Sequence, residues 1–394
     1  MSRQWHVVIR IVIFIIMFCS SIRCFKQIYL NKRLKSRIKS QSNIRSWPIK
    51  NESPPEVLFR FGIIADIQYA DADDAPNFQG TMIRRYRKSL LTYSKAIKYW
   101  NNMLTTSTSI PFKCAIVLGD ILDGKTALMK NQEQCYNDFL QISSLSKIDS
   151  FYCFGNHCHY SFNRTQIYDK YLSPLTHILS SNSTIGGVCS PSELYYDYSP
   201  YPGWRFVFID GYDISSIGAS SEENRLLSHT LLSTHNPNDL NISGGWFNNL
   251  PYHKRRWVPY NGGVSQKQLE WLDSVLTESV QRGEQVIAFC HQPIYAPDKP
   301  QSLVWNAEEI LALLHSHGNT RLWVAGHDHG GQYGIDTGGI CHLVPPAPIE
   351  SPEGDLTFGH IDVCGDKLHL HWQGEVPADT VLPFPTVMRL YNNK

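Results

Sequence analysis

The chain has 394 residues, of which 42% are hydrophobic and 12% aromatic, and its formal net charge at pH 7 is +1. This composition supplies enough apolar material for a sizeable core and excludes a fibrous or largely disordered protein. The near-neutral charge gives no indication of a nucleic-acid partner. No linker or fixed-period repeat divides the sequence, so we expect one domain over residues 53–394 after an extension at residues 1–52.

The N-terminal extension is basic. Residues 1–51 contain no Asp or Glu but eleven Lys and Arg residues, and residues 7–19 are apolar apart from Arg10. That run is short for a membrane span, which needs about 20 residues, but it suits the core of a signal peptide. Three interpretations stay open: a signal peptide or membrane anchor, a mitochondrial presequence, and a disordered extension. The sequence therefore does not decide whether the protein is secreted, membrane-anchored, mitochondrial or cytoplasmic.

From residue 57 onward, segments typical of strands and helices alternate. Apolar runs of strand length occupy residues 57–66, 114–120, 151–154, 204–210, 285–291 and 320–325. Helical patterns lie at residues 81–104, 132–145, 265–281 and 307–315, and Ser265 can cap the third. Residues 357–374 alternate around Gly365-Asp366, which predicts a β-hairpin. The pattern predicts an α/β protein with some antiparallel pairing.

Polar residues that can bind divalent metal ions follow five of the predicted strands. They are Asp66 and Gln68, Asp120 and Asp123, Asn156 and His157, His291, and His327 and His329. Strand ends are where an α/β sheet presents its ligands, so distant segments can converge there. A lone histidine after a strand is most often structural, but five such clusters in this order are hard to obtain by chance. They predict a metal site.

This order of motifs resembles the calcineurin-like metallophosphoesterase superfamily, whose pattern is D-x-H, GDxxD, GNH followed by an acid, a lone His, and GHxH. The resemblance covers residues 57–374 and implies a four-layer αββα sandwich with mixed sheets and two divalent ions. It implies that Asp66, Gln68, Asp120 and His329 hold one ion and that Asp120, Asn156, His291 and His327 hold the other. Asp120 would bridge the ions, and His157 would donate a proton or hydrogen bond to the substrate.

Two residues depart from the family pattern. Gln68 stands where most members have a histidine, and its harder amide oxygen should move the preference from zinc towards manganese, with magnesium and zinc as alternatives. Cys158 stands where an acid usually follows GNH, which leaves the support of His157 open. His159 is a candidate replacement, although both residues are equally interpretable as incidental loop residues.

Two longer segments narrow the resemblance. Residues 77–81 (Asn-Phe-Gln-Gly-Thr) with Arg85-Tyr-Arg87, and residues 261–265 (Asn-Gly-Gly-Val-Ser) with the Gln-Leu-Glu-Trp run at 268–271, are similar to the manganese-dependent ADP-ribose/CDP-alcohol diphosphatases. The similarity implies hydrolysis of ADP-ribose to AMP and ribose 5-phosphate, and of CDP-choline to CMP and phosphocholine. We further expect a monomer with small nucleotide diphosphate substrates and no nucleic-acid partner, and we expect any membrane contact to be made through the N-terminal segment.

Four residues near these segments are candidate substrate contacts. Arg84, Arg85 and Arg87 could contact phosphate, and Phe78 could stack on a base. The alternative is that the arginines lie on a solvated helix face and that the aromatic ring packs in the core. His369 and His371 share a face of a predicted strand, but nothing else in the sequence marks a metal site there.

Other functions of the same fold compete with this interpretation. A purple acid phosphatase would have Tyr in place of Asp123, and a phosphoprotein phosphatase would have a first-motif histidine and GDxxDRG, which Gln68 and Lys125 break. A cyclic-nucleotide phosphodiesterase stays open. A binding scaffold that had lost catalysis should lack ligands, whereas all seven predicted ligand positions carry suitable residues.

Overall fold

A computed structural model describes residues 56–106, 109–182, 189–242, 244–374 and 379–383. The predicted extension at residues 1–52 lies outside the described residues. Within the described ranges, no helix has both the length and the hydropathy that a membrane crossing requires.

Sixteen strands are described. They are β1 (Val57–Ile64), β2 (Ala75–Pro76), β3 (Ile83–Arg84), β4 (Phe112–Val117), β5 (Ser150–Tyr152), β6 (Tyr196–Tyr201), β7 (Trp204–Ile209), β8 (Ile214–Ser215), β9 (Gly262–Gly263), β10 (Gln285–Cys290), β11 (Thr320–Val324), β12 (Gln332–Ile335), β13 (Cys341–Val344), β14 (Phe358–Cys364), β15 (Lys367–Gln373) and β16 (Asp379–Pro383).

Nine α-helices connect these strands in the described part of the chain. They are α1 (Tyr86–Thr106), α2 (Lys125–Met129), α3 (Gln132–Ser143), α4 (Asn156–Ser161), α5 (Arg164–Ile167), α6 (Thr176–Asn182), α7 (Glu222–His235), α8 (Gln266–Gln281) and α9 (Ala307–His317). Shorter 3-10 or π turns lie at Tyr168–Leu172, Ser173–Leu175, Tyr252–Lys254 and Pro300–Ser302. The side chain of Ser265 accepts a hydrogen bond from the backbone N–H of Gln268 and so caps α8, as its position predicts.

Two six-stranded sheets organise the domain. The first has the order β16-β15-β14-β1-β4-β5, with β1, β4 and β5 parallel and the other neighbours antiparallel. The second has the order β12-β13-β11-β10-β7-β6, with β7, β10, β11 and β13 parallel and antiparallel strands at both edges. Parallel strands end at the same edge of a sheet, so the segments that follow them are brought together.

The two sheets pack face to face through aromatic side chains. Phe61 of β1 lies 4.9 Å from Phe206 of β7 and 5.9 Å from Phe289 of β10, measured between ring centroids, and both pairs are edge-to-face. Phe151 of β5 stacks on Phe208 of β7 at 5.9 Å. These rings are fully or almost fully buried, so the interface between the sheets forms the centre of the core.

Helices cover the outer faces of both sheets. Trp100 of α1 packs on Gly62 of β1, where an added Cβ would lie 2.5 Å from the indole ring, and its Nε1–H donates to the carbonyl oxygen of Gly359 at 2.9 Å. On the other side, Leu272 of α8 and Ile310 of α9 join the buried cluster on the second sheet. The order helix, sheet, sheet, helix confirms the expected four-layer αββα arrangement with mixed sheets.

The structure differs from the sequence prediction at the first helix. The pattern at residues 81–104 predicts one helix, but residues 83–84 instead pair with residues 75–76 as the antiparallel strands β3 and β2, and α1 begins at Tyr86. The sequence analysis also did not identify β6, β12, β13, β16 or α7. Four of these are edge strands or lie beside an edge, where the apolar signal of a buried strand is weaker.

We expect Trp100→Ala to lower the free energy of unfolding by about 3–5 kcal/mol, because it leaves a cavity between α1 and the first sheet. Trp100 has 0% of its surface exposed, whereas Leu91 in the same helix is 63% exposed. Leu91→Ala is the matched control and should change stability by less than about 0.5 kcal/mol. Denaturant unfolding followed by circular dichroism measures both, and equal effects would contradict this packing.

Candidate metal centre

The segments that follow five parallel strands bring the predicted ligands together. Asp66, Asp120, Asn156, His291 and His327 lie within four residues of the ends of β1, β4, β5, β10 and β11, respectively. Ligand atoms of Asp120, His291 and His327 all lie within 4.8 Å of one another. Asn156 lines the same cavity as Asp120 and His327.

The contacts form two groups that share Asp120. In the first, Gln68 Nε2 lies 3.2 Å from Asp120 Oδ2 and 2.9 Å from His329 Nε2, and His329 Nε2 lies 3.6 Å from Asp66 Oδ1. In the second, His291 Nε2 lies 3.3 Å from Asp120 Oδ2 and 3.2 Å from His327 Nδ1. The groups contain six of the seven residues of the two ligand sets that the motif resemblance implies, and Asn156 makes none of these contacts. The assignment of each ligand to an ion stays a prediction.

The buried carboxylates of the site stay ionised only where positive charge lies nearby. Burial works to raise the pKa of Asp120, but the neighbouring His291 and His157 outweigh it and hold that pKa well below its usual range. Burial works to lower the pKa of His291, yet Asp120 and Asp66 raise it to about 9. Divalent cations would supply the same charge in exchange for ring protons.

Four residues of the candidate site have a left-handed backbone. The φ angles are 45° at Asp66, 44° at Gln68, 48° at Asp120 and 69° at His327, and they account for four of the six positive-φ non-glycine residues in the described ranges. Each such residue costs on the order of 1 kcal/mol or more. The loops that follow β1 and β4 stabilise each other, since the backbone N–H of Gln68 donates to the carbonyl oxygen of Asp120 at 2.7 Å.

Two glycines let the backbone approach the ligands closely. An added Cβ at Gly155 would lie 2.2 Å from Asp120 Oδ1 and 2.4 Å from His291 Nε2. An added Cβ at Gly326 would lie 2.5 Å from Asp66 Oδ2. The glycines of the GNH and GHxH motifs are therefore required by contact with the carboxylates rather than by a turn.

Three of the candidate ligands are histidines. In each of them, the ring nitrogen that points away from the carboxylates makes a supporting contact. His291 Nδ1 lies 2.8 Å from the carbonyl oxygen of Leu118, His327 Nε2 lies 2.8 Å from Asn261 Oδ1, and His329 Nδ1 lies 2.9 Å from Glu350 Oε1. An N–H at each outer position satisfies the oxygen and leaves the inner nitrogen with its lone pair towards the carboxylates. This is the tautomer that a metal-binding imidazole needs.

Two buried oxygens also fit a cation. Asp66 Oδ1 and Gln68 Oε1 have no hydrogen-bond partner within the described part of the chain. The Gln68 nitrogen faces Asp120 and His329, and a half-turn of the amide would direct its oxygen to the same place. Carboxylate oxygens, amide oxygens and imidazole nitrogens together suit a divalent ion of intermediate hardness.

Comparison with known proteins assigns the family. The sequence model described as calcineurin-like phosphoesterase matches residues 59–331. The chain belongs to this family. All of the candidate ligands lie within the matched residues.

Relatives and a solved structure agree with this family. The manganese-dependent ADP-ribose/CDP-alcohol diphosphatase of Bos taurus is 36% identical over 336 residues, which cover 84% of this chain and 96% of that protein. The protein of the same name from Homo sapiens is 37% identical over 328 residues, covering 82% and 92% of the two chains. A crystal structure of a dimetal phosphatase from Danio rerio matches with a TM-score of 0.73 at 32% identity, over 84% of this chain and 100% of that one.

The histidine of the calcineurin-like GNH motif is held by the neighbouring motif. His157 Nδ1 accepts a hydrogen bond from the backbone N–H of Gly124 at 2.8 Å and lies 3.2 Å from Asp123 Oδ2. In the neutral ring this arrangement places the proton on Nε2. Burial works to raise the pKa of Asp123, but His157 and then Arg84 lower it, so the carboxylate stays charged.

The residues after the calcineurin-like GNH motif do not orient His157. Cys158 is buried, and burial raises the pKa of its thiol to about 12, so it carries no charge that could replace the usual acid. His159 packs against Gly218 and Tyr212, and its two ring nitrogens have no hydrogen-bond partner among the described residues. Asp123, which the sequence pattern placed with the metal motifs, supports His157 instead.

A cavity of about 760 Å³ adjoins the candidate metal centre. Phe78, Arg84 and Trp246 line it together with Asp120 and His157. Phe78 is 66% exposed, so its ring is available for stacking, and the expectation that it packs in the core is not met. Its ring lies 6.2 Å from that of Trp246 with an interplanar angle of 16°.

The three predicted phosphate-binding arginines have different surroundings. Arg84 lines the cavity but pairs with Asp123 at 3.1 Å and Glu350 at 3.4 Å. Arg87 pairs with Asp71 and Asp73 on the surface. Arg85 donates to the carbonyl oxygen of Ser351 at 3.1 Å. Neither Arg85 nor Arg87 is among the described residues that line the cavity, so the structure does not support phosphate contacts by these two side chains.

Sequence reasoning missed several residues that complete the calcineurin-like site. Asn261 and Glu350 support His327 and His329, and Trp246 and Tyr260 line the cavity. Asn261 lies in a segment that resembles the diphosphatases, which was the available signal. Glu350 lies in an irregular loop after β13, and no pattern in its surroundings indicates a role.

We expect Glu350→Gln to weaken metal binding at the His329 side by about 10–100-fold, because residues that orient a ligand histidine have effects of that size. Manganese titration of the purified chain by calorimetry measures this change. Glu353→Gln, an exposed site in the same loop, is the control and should bind manganese as the parent chain does. Unchanged affinity in the Glu350 variant would exclude the supporting role.

Proposed function

We propose that this chain is a metal-dependent hydrolase that cleaves the diphosphate linkage of ADP-ribose, giving AMP and ribose 5-phosphate. We propose the same reaction for CDP-alcohols such as CDP-choline, giving CMP and phosphocholine. The observation that carries the proposal is a largely buried set of carboxylate, amide and imidazole side chains, five of which line a cavity of about 760 Å³. Its relatives of 36% and 37% identity carry the name of this activity.

The proposed ligand sets are those that the family resemblance implies, and six of their seven residues lie in the two contact groups. Asp66, Gln68, Asp120 and His329 would hold one divalent ion, and Asp120, Asn156, His291 and His327 would hold the other. When bound, two such ions activate water and stabilise charge on the oxygens of the reacting phosphate. The carboxylates of Asp66 and Asp120 offset only part of the ionic charge, so the centre stays positive and attracts a diphosphate.

The metal preference would depend on Gln68. Its amide oxygen is a harder ligand than the imidazole found at this position in most of the superfamily, and harder ligands favour manganese or magnesium over zinc. Manganese is also the metal in the names of the relatives. We therefore propose two manganese ions as the preferred cofactors, with magnesium and zinc as weaker alternatives.

The cavity suits a ligand with a base at one end and a diphosphate at the other. Its volume lies within the range of about 300–1,000 Å³ that is usual for small-molecule sites. The exposed ring of Phe78 and the neighbouring Trp246 offer aromatic faces for a base. Five of the seven predicted ligands line the same cavity, so one nucleotide diphosphate can contact both parts.

His157 would donate a hydrogen bond or a proton to the substrate. With Nδ1 bonded to the backbone N–H of Gly124, its Nε2–H can donate to the phosphate oxygen that leaves or becomes exposed.

We expect His157→Asn to lower kcat for ADP-ribose by about 10²-fold or more, because a positioned proton donor is lost. Bound manganese per chain should not change, since the backbone N–H of residue 157, not the ring, bonds Asp120 Oδ1 at 2.8 Å. His253→Asn, at an exposed position, is the control for loss of a histidine. A variant that keeps its full kcat would refute the proton-donating role.

The substrate proposal is tested by turnover of ADP-ribose, CDP-choline and an aryl phosphate at equal concentration, each with manganese, magnesium or zinc. We expect the two diphosphates to be hydrolysed faster than the phosphomonoester and manganese to give the highest rate, because the cavity accepts a base and Gln68 supplies a hard ligand. Faster turnover of the aryl phosphate would overturn the diphosphatase proposal. Equal or higher rates with zinc would overturn the metal preference.

A further inference from the structure

A second group of metal-binding side chains lies on the outer face of the first sheet. His360 and Asp362 are in β14, and His369 and His371 are in the neighbouring strand β15. The antiparallel register places His360 opposite His371 and Asp362 opposite His369. Residues two apart in a strand share a face, so all four side chains are on the same side of the hairpin.

Two distances within this group match the separation of ligands in a tetrahedral metal site. His360 Nε2 lies 3.5 Å from Asp362 Oδ1, and His371 Nε2 lies 3.4 Å from Asp362 Oδ2. Two ligands that are each about 2.0–2.1 Å from a tetrahedral ion lie about 3.4 Å apart. One ligand atom from each of the three residues lies within 4.8 Å of the others, so a single ion can reach all three with small side-chain rotations.

Surrounding residues orient this group as they do at the catalytic centre. The Tyr99 hydroxyl of α1 lies 3.0 Å from His360 Nδ1, which leaves Nε2 of the same ring towards Asp362. Arg60 of β1 donates to both oxygens of Asp362, at 2.9 and 3.3 Å. His360 and Asp362 are buried, while the His371 side chain is 31% exposed and gives access from solvent. His369 Nε2 is buried and, among the described residues, has no hydrogen-bond partner.

We propose that His360, Asp362 and His371 bind one transition-metal ion of the zinc, nickel or copper class, at a site separate from the dimetal centre. Two imidazoles and one carboxylate favour these ions over magnesium or calcium. The fourth position is left to water or to the neighbouring His369. An ion there would join β14 to β15 and, through Tyr99 and Arg60, would also fix α1 and β1.

This site is distinct from the catalytic one in place and in metal preference. Four residues of extended strand, about 13 Å, separate Arg60 from the end of β1 at Ile64, and Asp66 lies two residues beyond that end. The proposed catalytic set contains amides and bridging carboxylate, which favour manganese, whereas the sheet site is rich in imidazole. The positive charge of Arg60 opposes a second cation nearby, so we expect the sheet site to bind zinc less tightly than an all-histidine site does.

The test measures zinc bound per full-length chain by equilibrium dialysis and metal analysis, in a background carrying Asp120→Ala. That substitution removes the contact shared by both halves of the catalytic centre and leaves β14 and β15 unchanged. We expect His371→Gln in this background to lower bound zinc by one ion per chain. His317→Gln, which breaks a His–Asp pair elsewhere on the surface, is the matched control and should lower it by none.

A second readout covers the case in which the His371 variant folds poorly. Zinc should raise the unfolding temperature of the Asp120→Ala chain, since an ion that binds only the folded state stabilises it. The same gain should be absent from the chain that also carries His360→Gln. Equal zinc content with and without His371→Gln, or an equal thermal shift with and without His360→Gln, would show that the group is only a hydrogen-bonded network and would overturn the proposal.

Discussion

Two groups of buried side chains meet at the carboxylate of Asp120. Its Oδ1 accepts the backbone N–H of His157 at 2.8 Å, and its Oδ2 lies 3.2 Å from Gln68 Nε2 and 3.3 Å from His291 Nε2. A buried carboxylate is unfavourable unless hydrogen bonds and positive charge compensate it. Every group that faces Asp120 must therefore be a donor or must leave room for a cation. This requirement explains the close approach at Gly155 and the outward hydrogen bond of His291 to Leu118.

The sheets supply the rigidity that this arrangement needs. Left-handed backbone at Asp66, Gln68 and Asp120 is unfavourable, and it persists only where the surrounding structure holds it. Here β1 and β4 are neighbouring parallel strands in the middle of the first sheet, and their pairing continues into the loops through the hydrogen bond from Gln68 N–H to Asp120 O. Phe61 of β1 also packs into the aromatic interface between the sheets. The geometry of the candidate site therefore depends on the pairing of the strands that precede it.

The sequence could predict the candidate ligands because they follow buried strands, and buried strands are recognisable from apolar runs. It could not identify supporting residues such as Glu350, since these lie in irregular loops and act through contacts with residues far away in the chain. The hairpin is an intermediate case. A hairpin centred on Gly365-Asp366 already pairs position 360 with 371 and position 362 with 369, as the structure shows. The grouping of these His and Asp residues on the sheet could therefore have been predicted from the sequence.

Arg84 shows why residue type alone does not predict a role. A cationic side chain beside a diphosphate site suggests a phosphate contact, but the guanidinium lies 3.1 Å from Asp123 and 3.4 Å from Glu350. Asp123 faces His157, and Glu350 faces His329, so one arginine connects the support of the proposed proton donor to the support of a proposed metal ligand. Its charge helps to keep both carboxylates ionised, because it lowers the pKa of each of them against the effect of burial. The arginine thereby supports two histidines that are 172 residues apart in the chain. Its side-chain hydrogen bonds to Asp123 and Glu350 act on the two rings through these carboxylates.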